Sequence, residues 1–211
     1  MDALLREYIQ SRLSAQPVRL EWLETKQAEA DNEFPVNFAG KPLAAIRCSE
    51  RLDENHRTAV EALAAQLAVL SVSRSPSAAI QLDKVIATLH EQNTHFDWTG
   101  IYVLKGEALH LAAFRGSPSP HAIIPSANGI CGAAVQENQT LNIPDVAADP
   151  RYLSCDFRTR SEIVVPIRDA SGKAIGEIDI DSHLPAAFRE QDARRLEELA
   201  LELAPVVVDL I

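Results

Sequence analysis

The 211-residue sequence has few cysteines and no long apolar run. Its three cysteines, an odd number, do not form the dense framework of a disulfide-stapled secreted domain. No basic segment leading into an apolar one marks a secretory signal, so we expect a cytoplasmic protein with reduced thiols. The apolar tail 205–211 is much shorter than the roughly 20 residues of a membrane span, and no membrane partner is expected.

Basic residues are also scarce, since 20 Lys and Arg stand against 30 Asp and Glu, for a formal net charge of −10. A protein that binds a phosphate backbone needs a basic surface, so the composition predicts no nucleic-acid partner. An acidic surface is otherwise ordinary for a soluble protein and indicates no particular function. The apolar share of 46% is sufficient for one sizeable core.

The N-terminal part of the chain is predicted to be mostly helical. Apolar residues recur at helical spacing near the start and over 18–28, whereas proline and glycine interrupt the pattern over 31–47. Helical spacing returns over 55–70. We therefore predict an N-terminal extension over 1–50 and one folded domain over 51–211.

After one further helical segment, which starts at Ser75 and Pro76 and runs to about Gln92, the pattern changes to strands. Segments 98–104 and 108–114 flank Lys-Gly-Glu and predict one hairpin, and segments 161–168 and 174–181 flank Asp-Ala-Ser-Gly-Lys and predict another. A closing helix is expected over 190–203. This order predicts an α+β fold with a mainly antiparallel central sheet flanked by helices, rather than a Rossmann fold.

Cys155 is the cysteine whose surroundings favour reactivity. It lies in a polar loop near Arg158 and Arg160, and neighbouring cations favour the nucleophilic thiolate. Cys48, in contrast, is expected to be a small buried apolar residue. The local sequence leaves both a reactive and an inert role open for Cys155.

Acidic and aromatic side chains share strand faces. Asp179 and Asp181 alternate with isoleucines, and Glu162 opens the neighbouring strand. The acids lie either on a wet outer face or in a pocket that binds an ammonium group or gives a proton to a leaving oxygen. Trp98 and Tyr102 either pack in the core or form an apolar wall against a thioether or methyl group. No His-x-x-x-His or Cys-x-x-Cys spacing supports a zinc site, so no metal is expected.

Several short sequence segments, taken in order, resemble those of the free methionine-(R)-sulfoxide reductase family, a group of GAF-domain enzymes. The matching segments include Trp98-Thr-Gly-Ile-Tyr, Gly129-Ile-Cys-Gly, Ile143-Pro-Asp-Val, Cys155-Asp, Ser161-Glu-Ile-Val-Val-Pro and Gly176-Glu-Ile-Asp-Ile-Asp-Ser182. They do not cover residues 1 to about 50, which compact members of the family lack. The resemblance implies a GAF-like domain that reduces free methionine (R)-sulfoxide to methionine.

The same resemblance implies a role for each candidate residue. Cys155 matches the catalytic nucleophile, and Glu162 matches one of the acids that hold the amino group and assist departure of the oxygen. The implied substrate-binding residues are Trp98, Tyr102, Asp179 and Asp181.

The recycling step is where the sequence departs from the family pattern. His121 stands where the family usually has the cysteine that forms a disulfide with the catalytic one. Cys131 matches the family's second cysteine and is the leading internal candidate for the resolving thiol. The implied chemistry uses no cofactor, takes its reducing equivalents from a thioredoxin-like protein or a small thiol, and is compatible with a homodimer.

Two other functions remain open at the level of sequence. One is a non-catalytic GAF sensor that binds a small molecule in the same pocket. The other is a redox switch in which oxidation of Cys155 changes a partner contact through the N-terminal extension.

Overall fold

The structure, a computed structural model, describes part of the N-terminal region and nearly all of the rest. The described residues are 21–23, 33–38, 41–48, 75–154 and 156–211, together with seven helical residues between 57 and 69. Cys155 lies outside the described residues, as does the helix predicted near the start of the chain. The chain divides into two compact units, Met1–Ile80 and Gln81–Ile211.

The first unit contains a small antiparallel sheet. Strands β1 (Glu21–Leu23) and β2 (Glu33–Phe38) both pair with β3 (Lys41–Arg47). Phe34 and Ile46, which are partners across the β2–β3 pair, are both buried.

These strands correct the prediction for the N-terminal region. The helix predicted over 18–28 is wrong at Glu21–Leu23, and the segment 31–47, predicted to be irregular, contains two strands. Pro35 obscured the strand pattern, but it is tolerated because β2 lies at the edge of its sheet. The helix predicted over 55–70 agrees with the seven residues described there.

The second unit is built on an antiparallel sheet of six strands. The strands are β4 (Trp98–Lys105), β5 (Ala108–Arg115), β6 (Ile123–Pro125), β7 (Leu141–Ile143), β8 (Ser161–Arg168) and β9 (Ala174–Ser182). Their order in the sheet is β6-β5-β4-β9-β8-β7, and each neighbouring pair is antiparallel. Both predicted hairpins and the α+β class are confirmed, whereas the three-residue strand β6 was not predicted.

Helices cover this sheet. They are α1 (Pro76–Glu91), α2 (Gly129–Glu137) and α3 (Glu190–Val208), with a 3₁₀ turn at Val146–Ala148. Both α2 and α3 pack against β8 and β9. Successive side chains of a strand point to opposite faces, so β9 presents its acids to one layer and its isoleucines to the other. None of the described helices is long and apolar enough to cross a membrane.

Candidate active site

Strand register brings the predicted acids together. Asp181 of β9 lies opposite Glu162 of β8 on one side and opposite Trp98 of β4 on the other. Directly opposed residues share a face, and Asp179 shares it at a spacing of two residues. Glu162, Asp179 and Asp181 are only 5%, 1% and 3% exposed. This burial excludes the wet outer face and leaves the interpretation as a pocket.

Helix α2 covers these acids with Cys131. The Cys131 thiol lies within donating distance of two carboxylates, with Sγ 3.6 Å from Asp179 Oδ2 and 3.9 Å from Glu162 Oε1. The helix begins at Gly129, whose φ of +75° is a left-handed conformation that side chains disfavour. The turn at Gly129 therefore sets the start of α2 and places Cys131 above the sheet.

Glu177 is a further buried acid that the sequence analysis missed. It is 0% exposed and precedes Asp179 by two residues on β9, so it belongs to the same face. Within the part of the chain that the structure describes, neither of its carboxylate oxygens has a partner at ordinary hydrogen-bond distance, although the nearby Cys131 thiol lowers its pKa and favours its ionised form. The signal was present, since the alternation Glu-Ile-Asp-Ile-Asp begins at residue 177. We call Glu162, Glu177, Asp179 and Asp181 the acid cluster.

Burial raises the pKa of every member of the acid cluster. Like charges add to the rise for Glu162, Glu177 and Asp181. Burial raises the pKa of Asp179 to about 7, and the Cys131 thiol opposes this rise. Interacting groups of this kind titrate as one system, so protons are retained in the cluster near neutral pH. The cluster can therefore supply a proton, and an entering cation would favour its ionised form.

A closed cavity lies between α2 and the acids. Its volume is about 10 Å³, close to the space that one water molecule needs. The lining residues are Ile124, Gly129, Ile130, Cys131, Leu153, Glu162, Asp179 and Asp181. An amino acid does not fit in this volume, so the segment that carries Leu153 or the start of α2 must move before one can bind.

The two predicted aromatic residues lie beside the acid cluster but do not line the cavity. The Trp98 indole covers Gly100, where an added Cβ would come within 2.2 Å of the ring. The indole donates to the Ser117 carbonyl at 3.1 Å, and the Tyr102 hydroxyl donates to the His121 carbonyl at 2.8 Å. With ring centroids 6.2 Å apart, Trp98 and Tyr102 form a fixed aromatic wall next to β9.

The neighbours of Cys155 can be placed, although Cys155 itself lies outside the described residues. His121 Nε2 is 3.2 Å from the carbonyl oxygen of Ser154, the residue immediately before Cys155. Leu153 lines the cavity. The side chain at position 121 therefore reaches the segment that leads into Cys155, and this segment borders the acid cluster.

Arg158 forms an ion pair that the sequence did not indicate. Its guanidinium pairs with Asp156, with Nη2 2.6 Å from Oδ2. The side-chain hydrogen bonds from Arg158 are the main reason why the pKa of Asp156 falls to about 2. Because this pairing neutralises the charge locally, Arg158 adds less positive potential at position 155 than the sequence alone implied.

A larger groove of about 420 Å³ lies elsewhere, between α1 and α3. Its lining includes Lys84, Arg195 and Glu198, and it contains none of the predicted site residues. The chemistry-bearing residues are therefore concentrated at the small cavity and not at the larger opening.

Comparison with known proteins identifies the family. The GAF domain family matches residues 80–207. The free methionine-R-sulfoxide reductase of Escherichia coli is 36% identical over 121 residues, which cover 57% of this chain and 72% of that protein. The chain belongs to the free methionine-R-sulfoxide reductase family of GAF-domain proteins. The family resemblance predicted from the short sequence segments is thereby confirmed.

Solved structures of this reductase family show the same fold. A type II free methionine-R-sulfoxide reductase from Thermoplasma acidophilum is 41% identical with a TM-score of 0.63, and the match covers 64% of this chain and 95% of that one. The Neisseria meningitidis enzyme in complex with its substrate is 32% identical with a TM-score of 0.59, covering 75% and 93%. The family match begins at residue 80, and the domain boundary at residue 51 stays a prediction.

Proposed function

We propose that this chain is a thiol-dependent reductase of free methionine (R)-sulfoxide, with Cys155 as the nucleophile. The observation that carries the proposal is the buried acid cluster, which has no ion-pair partner among the described residues. Buried carboxylates are costly unless a cation or a proton neutralises them. The ammonium group of a free amino acid supplies such a cation in a chain that belongs to this family.

Substrate recognition follows from this electrostatic match. Asp179 and Asp181 accept hydrogen bonds from the ammonium group, and Trp98 and Tyr102 form the apolar wall for the methylthio end. A residue inside a peptide has no ammonium group and would leave the acids unpaired. We therefore infer that the activity is restricted to the free amino acid.

The reaction begins when the Cys155 thiolate attacks the sulfoxide sulfur and forms a sulfur–sulfur bond. Protons from the acid cluster, with Glu162 as the leading donor, convert the sulfoxide oxygen into water as the S–O bond breaks. Water then attacks the Cys155 sulfur, and methionine leaves with the electron pair of the sulfur–sulfur bond. Cys155 remains as a sulfenic acid, which a thiol can reduce. The sulfoxide is reduced, the thiol is oxidised, and no cofactor takes part.

Recycling of the sulfenic acid is assigned to Cys131 as the leading internal thiol. Cys131 attacks Cys155, a disulfide forms, and hydroxide leaves as water. The pair can form without backbone movement only when its Cα atoms are no more than about 7 Å apart. A thioredoxin-like protein or a small thiol then reduces the disulfide in the reducing cytoplasm that the cysteine usage favours. A homodimer is compatible with this scheme.

A coupled reductase assay tests the proposed function. Wild type is expected to consume free methionine (R)-sulfoxide with a thiol reductant, and Cys155→Ser is expected to keep its fold and lose turnover. Cys48→Ser is the matched control, because it removes a buried cysteine of the first unit, and it should retain turnover. Substantial turnover in Cys155→Ser would refute the nucleophile. Binding of methionine sulfoxide to wild type without turnover would indicate a sensor instead.

A further inference from the structure

We propose that Cys131, Glu162 and Asp179 form a binding site for a thiophilic divalent cation, with Zn²⁺ as the ion that fits best. One ligand atom from each of these residues lies within 4.8 Å of the other two. The three residues come from α2, β8 and β9, which meet only in the folded chain. The absence of a local zinc spacing in the sequence therefore does not bear on this site.

The distances match tetrahedral coordination. Zinc lies about 2.3 Å from a thiolate sulfur and about 2.0–2.2 Å from a carboxylate oxygen, so a tetrahedral angle separates sulfur from oxygen by about 3.6 Å. The Cys131 Sγ atom is 3.6 Å from Asp179 Oδ2 and 3.9 Å from Glu162 Oε1. The two sulfur–oxygen distances therefore need to change by only a few tenths of an ångström, and the two carboxylate oxygens lie within 4.8 Å of each other.

Unpartnered oxygens at the site provide independent support. Asp179 is 1% exposed, yet its Oδ1 has no hydrogen-bond partner among the described residues, and the oxygens of the buried Glu177 on the same strand face likewise have none there. A divalent cation bound by the Asp179 carboxylate would offset the negative charge of both acids, and bidentate coordination would also satisfy Oδ1. The cavity of about 10 Å³ has room for one ion or one water molecule.

The donor set selects the kind of ion. Mg²⁺ and Ca²⁺ prefer oxygen ligands alone, whereas a thiolate combined with carboxylates suits Zn²⁺ and Co²⁺. The thiol must lose its proton when the ion binds, so binding releases protons and strengthens as pH rises. The fourth coordination position is left to a water molecule.

The consequence for activity rests on the proposed function. An ion held by Asp179 and Glu162 occupies the place assigned to the substrate ammonium group and engages the candidate resolving thiol. Zn²⁺ is therefore a reversible inhibitor that competes with methionine sulfoxide and that a chelator removes.

Titration of the reduced, metal-free full chain with Co²⁺ alone tests the site. We expect one equivalent to bind and to produce the near-ultraviolet charge-transfer absorption of a cobalt–thiolate bond. Addition of Zn²⁺ should abolish this absorption by displacing Co²⁺. The absorption should disappear in Cys131→Ser and persist in the matched cysteine controls Cys48→Ser and Cys155→Ser.

A second variant, which retains the thiol, tests the site independently in case Cys131→Ser does not fold. Asp179→Asn keeps the shape of the side chain and should weaken Co²⁺ binding at least about tenfold, because loss of even an outer-shell partner of a metal ligand typically costs that much. Absence of the thiolate absorption in wild type, its persistence in Cys131→Ser, or unchanged affinity in Asp179→Asn would overturn the site. Cobalt binding without inhibition by Zn²⁺ would support the metal site and contradict the assigned place of the ammonium group.

Discussion

The surroundings of Glu162 suit this residue to donate a proton. It is buried beside the Cys131 thiol and lies opposite Asp181, while burial and the neighbouring acids raise its pKa. A carboxyl group that keeps its proton near neutral pH can donate it to a leaving oxygen. The aspartates of β9 remain available to bind the ammonium group.

Glu162→Gln is expected to lower kcat by about 10²–10⁴-fold, because glutamine keeps the shape but cannot donate an acidic proton. KM should change much less than kcat, and steady-state kinetics with free methionine (R)-sulfoxide separate the two. Glu137→Gln is the control, since Glu137 is exposed on α2. A variant with wild-type kcat would exclude Glu162 as the proton donor.

Glu177 gives the fold an unusual dependence on pH. Its pKa in the folded state is raised by burial and by the charge of Asp179, above an unfolded value of about 4.3. The stabilising contribution of the protonated acid is fully present below the unfolded pKa and is lost as pH rises through the folded pKa. Asp179, whose folded pKa is raised to about 7, acts in the same direction.

The free energy of unfolding of wild type should therefore fall relative to that of Glu177→Gln as pH rises from about 4 towards 7. Urea unfolding of both proteins at several pH values measures this difference. Asp156, whose folded pKa is about 2, acts in the opposite direction but in a more acidic range, and it is common to both proteins. Parallel stability curves for the two proteins would show that Glu177 keeps its unfolded pKa.

At the scale of elements, β4 depends on a glycine to hold its aromatic side chain. The Trp98 indole lies over Gly100, and it also stacks near Phe114 of β5 with centroids 6.0 Å apart. Alanine at position 100 would overlap the indole, so the ring or the strand has to shift. The position of the Trp98 ring in the aromatic wall therefore depends on Gly100, which has no side chain.

Gly100→Ala should destabilise the protein by about 1–3 kcal/mol, the usual cost of overpacking a core. In a Trp98→Leu background the same substitution should cost less, because the smaller side chain leaves room for the added methyl group. Chemical unfolding of the four proteins forms a double-mutant cycle that measures this coupling. Purely additive free energies would contradict the contact between the ring and Gly100.

The loop that contains Cys155 and helix α2 are the elements that recycling must bring together. Leu153 and Cys131 line the same cavity, so the segment before Cys155 lies near the candidate resolving thiol. After one equivalent of substrate, intact mass should show the loss of two hydrogens in wild type. The loss should vanish in Cys131→Ser, which would retain one added oxygen instead.

The other outcomes of this mass measurement are equally informative. A loss of two hydrogens that survives in Cys131→Ser but vanishes in Cys48→Ser would assign recycling to the N-terminal region and contradict the role of Cys131. One persistent added oxygen in every variant would leave direct reduction by an external thiol as the route.

For the molecule as a whole, local signals in the sequence predicted the hairpins but not their assembly. The turns that contain Gly106 and Gly172 lie between alternating strands, so each hairpin could be recognised within a short window. The pairing of β4 with β9 joins distant parts of the chain and has no local signal. Pro35 obscured the edge strand β2, and the three residues of β6 were too few to show a period.

The sequence predicted most of the residues of the candidate site, but it did not predict their burial or their contacts. Strand alternation placed Asp179 and Asp181 on one face, but their burial depends on α2, which comes from earlier in the sequence. The contact of Cys131 with Asp179 and Glu162 likewise needs α2 and two strands to meet. Glu177 belongs to the same alternation, but the local sequence of a strand does not show whether an acid on its face is buried or exposed to solvent.

The central claim is that the buried acid cluster recognises the free ammonium group of methionine sulfoxide for reduction by Cys155. The most direct test compares kcat/KM for free methionine (R)-sulfoxide with kcat/KM for its N-acetyl derivative, which has the same sulfoxide but no ammonium group. We expect the N-acetyl compound to react at least about 10³-fold more slowly, because it leaves buried charged groups unpaired. Equal rates for the two compounds would contradict the claim.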